Sequence, residues 1–292
     1  MTGIQSHIKL IECPRDAMQG IHDFIPTELK AAYLNLLLQV GFDTIDFGSF
    51  VSPKAIPQLR DTAEVLSLLD LDNAKSKLLA IVANLRGAEA AVAHPEISYL
   101  GFPFSISETF QQRNTNSSIA QSMETVKKML ELCDQHDKEA VIYLSMGFGN
   151  PYGDVWNVEI VEQWADALVH QGARILALSD TTGMSTPESI KEIVPPLLSR
   201  FEGHPHQVEI GLHLHSRPDT RFEKINAAYE SGCRRFDSAI KGLGGCPMAA
   251  DDLTGNMATE GLIGYLEHKD ENLGLDMNKF REAMQFSSKV FQ

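Results

Sequence analysis

Val208-Glu209-Ile210-Gly211-Leu212-His213-Leu214-His215 is an apolar run that ends in two histidines one residue apart. Read as a β-strand, it sends alternate side chains to opposite faces, so both imidazoles leave on the same side of a sheet. At a strand's end such a pair forms a nitrogen ligand set facing whatever lies beyond. The run is one of several: strand-like stretches occupy 8–13, 43–48, 78–84, 97–103, 139–146, 173–179, 208–214 and 234–240. Between them the apolar residues recur with helical spacing. Leu29, Tyr33, Leu36 and Val40 form one helical face, opened by a capping Thr27 and closed by Gly41. Ile119, Met123, Val126, Leu130 and Cys133 form another, and Val161, Trp164 and Leu168 a third. Eight strands, each followed by a helix, is the count of an α/β chain folded as a (β/α)8 TIM barrel. The alternative, a doubly wound open sheet, would carry a glycine fingerprint after its first strand, where Cys13-Pro14-Arg15-Asp16 stands instead. The spacing therefore predicts a TIM-barrel catalytic domain over 1–268, with a short helical C-terminal extension, 269–292, packed on it.

The bulk composition sets limits on function. The chain has 292 residues, 43% of them hydrophobic and 22% charged, which are globular values. Its formal charge of −14 argues against a nucleic-acid surface, which needs a basic stripe. It leaves room for an anionic small molecule held in a local positive pocket. No apolar stretch approaches the length of a membrane span, and Met1–His7 is too short and polar for a signal peptide. Cys13, Cys133, Cys233 and Cys246 are scattered without a CxxC pair, as expected of a protein in the reducing cytoplasm.

In barrels of this kind the chemistry sits at the C-terminal ends of the strands. There the chain places Arg15 and Asp16, Asp46 and Ser49, Asn150 and Tyr152, Asp180 and Thr181, then His213 and His215, and last the loop Gly242–Asn256. One aspartate, two imidazoles and a side-chain amide would offer two nitrogens and two oxygens to a divalent cation. Such a set suits Mg²⁺ or Mn²⁺ with waters completing an octahedron, and would also accept Co²⁺, Fe²⁺ or Zn²⁺. Each piece also has a plainer use. Asp16 can cap a turn, and Gly242-Leu243-Gly244-Gly245-Cys246-Pro247 can be a turn with positive φ angles and a small buried cysteine. Their coincidence at one barrel face is what favours a site.

Five motifs carry a family resemblance, in order along 8–265. Cys13-Pro14-Arg15-Asp16-Ala17-Met18-Gln19, Ser49-Phe50-Val51-Ser52-Pro53-Lys54, Ser107-Glu108 with Asn114 and Asn116, Ser179-Asp180-Thr181-Thr182-Gly183, and Gly242–Pro247 followed by Gly255-Asn256-Met257-Ala258-Thr259-Glu260 resemble segments of the DRE-TIM metallolyases. Within that superfamily they are most similar to the 3-hydroxy-3-methylglutaryl-CoA lyases. The resemblance implies Asp16, His213, His215 and Asn256 as metal ligands, and Arg15, Asp16, Asp46, His213 and Cys246 as catalytic residues. It implies Arg15, Ser49, Tyr152, Asp180 and Thr181 as substrate contacts, an acyl-CoA substrate, and a homodimer. The reaction implied is cleavage of a carbon–carbon bond beside a tertiary alcohol. The base is left open among Asp16, His213 and metal-bound water, Arg15 steadies the enolate oxygen, and Cys246 protonates the departing carbon.

The chain departs from that pattern in places. Asp46 stands for a glutamate and Ala177 for a serine; Ser216-Arg217-Pro218-Asp219 replaces Asp-Thr-Tyr-Gly after the histidines, and the loop from Cys246 to Asn256 is one residue longer. These changes keep two other readings open, a Claisen-condensing acyltransferase acting on an acyl-CoA and a 2-oxo acid, and a binding barrel with impaired catalysis.

Overall fold

On β7 (Glu209–His213) the alternation expected of a barrel strand is explicit: Ile210 and Leu212 join the large apolar cluster beneath the helices, while His213 turns to the interior side. The same rule builds β1 (Lys9–Glu12), β2 (Thr44–Ser49), β3 (Lys77–Ile81), β4 (Ile97–Ser105), β5 (Glu139–Ser145), β6 (Ile175–Ser179) and β9 (Arg235–Ser238). The computed structural model describes residues 7–245 and 254–291. In it these strands close into a parallel barrel in the order β1-β2-β3-β4-β5-β6-β7-β9. A smaller cluster of Leu79, Ile81, Tyr99, Val141, Tyr143, Ile175 and Ala177 fills the barrel itself, separate from the strand–helix core.

The helices are α1 (Pro14–Gln19), α2 (Thr27–Val40), α3 (Thr62–Ser67), α4 (Leu85–Val92), α5 (Glu108–Thr115), α6 (Ile119–Gln135), α7 (Val158–His170), α8 (Pro187–Phe201), α9 (Arg221–Glu230), α10 (Thr259–His268) and α11 (Met277–Val290). Gly41 ends α2 in the left-handed region, at φ +94°, as its position predicts. Thr27 does not cap that helix. It is the first helical residue, behind Pro26, and its hydroxyl donates to Asp61 at 2.9 Å, because a buried Lys30–Asp61 pair draws the polar groups of this corner together.

The buried face of α2 is broader than the predicted stripe. Tyr33, Leu34, Leu37, Leu38 and Val40 are buried, and Leu29 and Leu36 only partly so. Part of that face meets α11, which lies along α2 with Phe286 and Phe291 on the Tyr33 ring, while Phe280 stands edge-on to Phe42 just past the helix. Burying each such ring contributes roughly 1.5–3 kcal/mol, so α11 is held by the shell that it covers.

The two histidines do not share one strand. β7 ends at His213, Leu214 leaves the ladder, and His215 opens a two-residue strand, β8 (His215–Ser216), antiparallel to β10 (Gly255–Asn256). Asn256 pairs with His215 in that ribbon, and the Met257 N–H donates to the Leu214 carbonyl at 3.0 Å. The chain peels away because these bonds to the returning loop replace those of the barrel ladder. The rings still stay together, with centroids 5.3 Å apart.

Candidate active site

Pro14 occupies the first turn of α1, so the chain turns helical directly after β1 and holds Arg15 and Asp16 over the barrel mouth. Arg15 forks onto Asp46 of β2: Nε lies 3.1 and 3.0 Å from the two carboxylate oxygens and Nη2 2.5 Å from Oδ2. Its Nη1 donates to Asp16 Oδ1 at 3.0 Å and to Gln19 Oε1 at 2.9 Å. Burial opposes the Arg15 charge, but the Asp46 and Asp16 carboxylates outweigh it and keep the guanidinium ionised. Burial pushes Asp46 up to about 6, against the pull of Arg15. Asp16 comes out lower than an ordinary carboxyl: burial raises it, yet Arg15, His213 and the amide of Asn256 together more than offset that. Such a bidentate, desolvated fork fixes both partners.

Asp16, His213 and His215 converge, with one ligand atom from each lying within 4.8 Å of the others. Nδ1 of His213 lies 3.2 Å from Asp237 of β9, the kind of carboxylate contact that orients a metal-binding imidazole. Burial depresses the His215 imidazole to about 4, helped by the neighbouring His213, so it is neutral near pH 7 and keeps a lone pair. Asn256 Nδ2 donates to Asp16 Oδ2 at 2.6 Å and to the Leu243 carbonyl at 2.8 Å. Among the described residues nothing donates to its amide oxygen. An ionised carboxylate, two imidazoles and an uncommitted amide oxygen are a donor set fit for a divalent metal ion. Cys13, His213 and Asp237 form a second compact group. There the Cys13 thiol is pushed well above its usual range, first by burial and then by the surrounding carboxylates, so it stays protonated and offers a poorer ligand.

The glycines after β9 are explained by what lies beneath them. Gly244 sits at φ +85°, and a Cβ there would stand 2.7 Å from the Asp16 carbonyl and 2.8 Å from Ala17 Cα. At Gly242, φ +64°, a Cβ would stand 2.8 Å from the Asn256 carbonyl. The loop is glycine-rich because its backbone must touch the two segments that carry Asp16 and Asn256. Cys246 lies outside the described residues.

The remaining predicted contacts are at the same end of the barrel but spend their side chains on neighbouring loops. Ser49 Oγ donates to the Ile81 carbonyl and accepts from Val51 N–H. Thr181 Oγ1 accepts from the N–H of Met146, a non-glycine residue at φ +62°. Asp180 takes Lys224 Nζ at 2.9 Å together with the Ser185 hydroxyl and N–H, and its charge reaches His215. Tyr152 stacks on Phe110 and lies under the Arg113 guanidinium, 4.7 Å from its centroid. Three further residues serve the site without having been assigned a role from the sequence: Gln19, Asp237 and Lys224. Gln19 was findable, since it stands one helical turn from Arg15 on α1. Asp237 shares the inward parity of β9, but nothing in the sequence pairs that strand's aspartate with His213.

The HMGL-like family model matches residues 8–286. The chain belongs to the HMGL-like family. It is 31% identical over 293 residues to the cytoplasmic 3-hydroxy-3-methylglutaryl-CoA lyase of Rattus norvegicus, covering 99% of this chain and 83% of that protein. It is 33% identical over 270 residues to a hydroxymethylglutaryl-CoA lyase of Bacillus subtilis, covering 92% of this chain and 88% of that one. The structure of an HMG-CoA lyase from Acinetobacter baumannii in complex with coenzyme A and 3-methylmalate superposes with a TM-score of 0.89 at 32% identity, covering 100% of this chain and 93% of that one. The protein is thus a lyase of the DRE-TIM type, with the closed barrel its sequence predicts. No helix among the described residues is long and apolar enough to cross a membrane.

Proposed function

We propose that the protein cleaves 3-hydroxy-3-methylglutaryl-CoA to acetyl-CoA and acetoacetate, with Mg²⁺ or Mn²⁺ held by Asp16, His213, His215 and Asn256. The observation that carries this is the convergence of Asp16 and the two histidines beside a locked Arg15, in a chain of the HMGL-like family. When bound, the divalent ion supplies Lewis-acid polarisation of the substrate's hydroxyl and carboxylate oxygens.

The rest is done by this chain's own groups. Asp16, whose carboxyl is held in its ionised form by Arg15, His213 and Asn256, is the group placed to take the proton of the C3 hydroxyl. The C2–C3 bond then breaks, its electron pair passing to C2 as the thioester enolate while C3 becomes the ketone of acetoacetate. Arg15 carries five N–H groups; Nε and one on Nη2 go to Asp46, and the two on Nη1 go to Asp16 and Gln19. The second N–H of Nη2, uncommitted among the described residues, is the donor for the enolate oxygen. Such a fixed donor is typically worth a few kcal/mol in the transition state. Cys246, on the Gly-rich loop, returns a proton to C2. Ser49, Tyr152, Asp180 and Thr181 shape the wall of the acyl-CoA site. Residues 1–268 carry the chemistry and 269–292 brace the shell. The unpaired Cys13, Cys133 and Cys233 support a cytoplasmic protein, and the family resemblance extends to a homodimer.

Titration with Mn²⁺, followed by electron paramagnetic resonance, tests the ligand set. Asp16→Asn is expected to weaken binding beyond the ~10–100-fold typical of a merely supporting residue. Unchanged affinity in the folded variant contradicts the assignment.

A further inference from the structure

The barrel interior holds a charge that the site described above does not use. Arg235 on β9 is only 1% exposed, yet none of its Nε, Nη1 and Nη2 atoms has a hydrogen-bond partner among the described residues. The Glu209 carboxylate oxygen Oε1 stands 3.7 Å from Arg235 Nη1. Asp237 lies two residues further along β9 and so on the same face. One of its oxygens serves His213 Nδ1 at 3.2 Å, and the other, Oδ1, is buried without a partner. The Tyr143 hydroxyl on β5 is likewise buried and unpartnered, and its ring meets His213 edge-on with centroids 5.8 Å apart.

Room for this guanidinium is built into the adjacent strand. A Cβ at Gly211 would stand 2.7 Å from Arg235 Cδ and 2.9 Å from Cγ. Ala177, beside Gly211 in the β6–β7 register, is small as well. Glycine at 211 is therefore what lets Arg235 lie inside the barrel.

Buried donors and acceptors left without partners cost more than an ordinary hydrogen bond gains. A small anion would satisfy Arg235 but would press against Asp237. Water can accept from a guanidinium, exchange with a hydroxyl and donate to a carboxylate oxygen, so it is the ligand that suits this mixture of buried donors and acceptors.

We propose that Arg235 is a positioning residue for the metal centre. Through ordered water shared with Tyr143 and Asp237, it holds the Asp237 carboxylate in the orientation that takes the Nδ1–H of His213, and so turns Nε2 toward Asp16 and His215. This rests on the metal reading given above.

The test uses the whole protein loaded with Mn²⁺ or Co²⁺. Arg235→Met is expected to weaken Mn²⁺ binding about 10-fold and to shift the visible Co²⁺ spectrum, which reports ligand geometry; Arg235→Lys is expected to restore most of both. Wild-type affinity and an unshifted spectrum in a folded Met variant overturn the proposal. Should the Met variant not fold, Gly211→Ala displaces the guanidinium while keeping its charge. It is read in the same way, with the same loss expected and unchanged values overturning the assignment. Wild-type protein that binds neither ion overturns the metal reading itself, and this inference with it.

Discussion

Glu12 closes β1 with its carboxyl completely buried, accepting from the Ile240 N–H at 2.8 Å and the Thr259 hydroxyl at 2.6 Å. Burial pushes it from 4.5 up to about 8, although both hydrogen bonds pull the other way. The folded-state value lies above the unfolded one, so the protonated form is the one that folding favours. Its contribution is fully present below about pH 4.5 and is lost as the pH rises through about 8. Glu12→Gln keeps the shape without the titration. Relative to the wild type, the variant is expected to gain roughly 3–5 kcal/mol across that window, read from urea melts at several pH values. Parallel stability–pH curves for the two proteins would contradict a protonated Glu12. Residue identities of this kind were only partly legible beforehand. Arg15 and Asp16 stand out because a charged pair directly follows an apolar run, a local signal. Glu12 and Asp237 do not, because their roles depend on Thr259 and His213, far away in the chain.

At the scale of the element, the Gly-rich loop and the ribbon of β8 and β10 act as one device that brings Asn256 onto Asp16. Gly244→Ala would force a Cβ into the α1 backbone at a φ that alanine resists, a local strain of ~1–2 kcal/mol before any clash. The expected result is at least a tenfold loss in kcat, with little change in the melting temperature of the barrel. Undiminished kcat would show that the loop need not press on α1. The histidine pair illustrates what a period-two reading carries. It correctly puts both rings on one side, but it cannot foresee that Leu214 leaves the ladder, since the cause is hydrogen bonding to a segment some forty residues later. The α2 stripe is a similar case: periodicity marks Tyr33 as buried, but not that its ring packs on Phe286 and Phe291 at the other end of the chain.

At the scale of the molecule, the barrel was legible because each strand is a short apolar run followed by a helical pattern, and closure follows from repeating that unit. Its parallel register then carries the strand ends, with Asp16, Asp46 and the histidines, to one rim without further instruction. What sequence alone does not supply is the wiring beneath that rim, in which Asp237 steadies His213 and Lys224 occupies Asp180. On the function proposed above, this rim breaks a carbon–carbon bond with the help of a divalent ion. The most direct measurement incubates Mg²⁺- or Mn²⁺-loaded protein with 3-hydroxy-3-methylglutaryl-CoA and follows acetyl-CoA and acetoacetate together. Equal amounts of both products are expected, abolished by a chelator and reduced roughly 100-fold or more by Arg15→Gln. Folded, metal-loaded protein that forms neither product, or turnover indifferent to the chelator, would contradict that function.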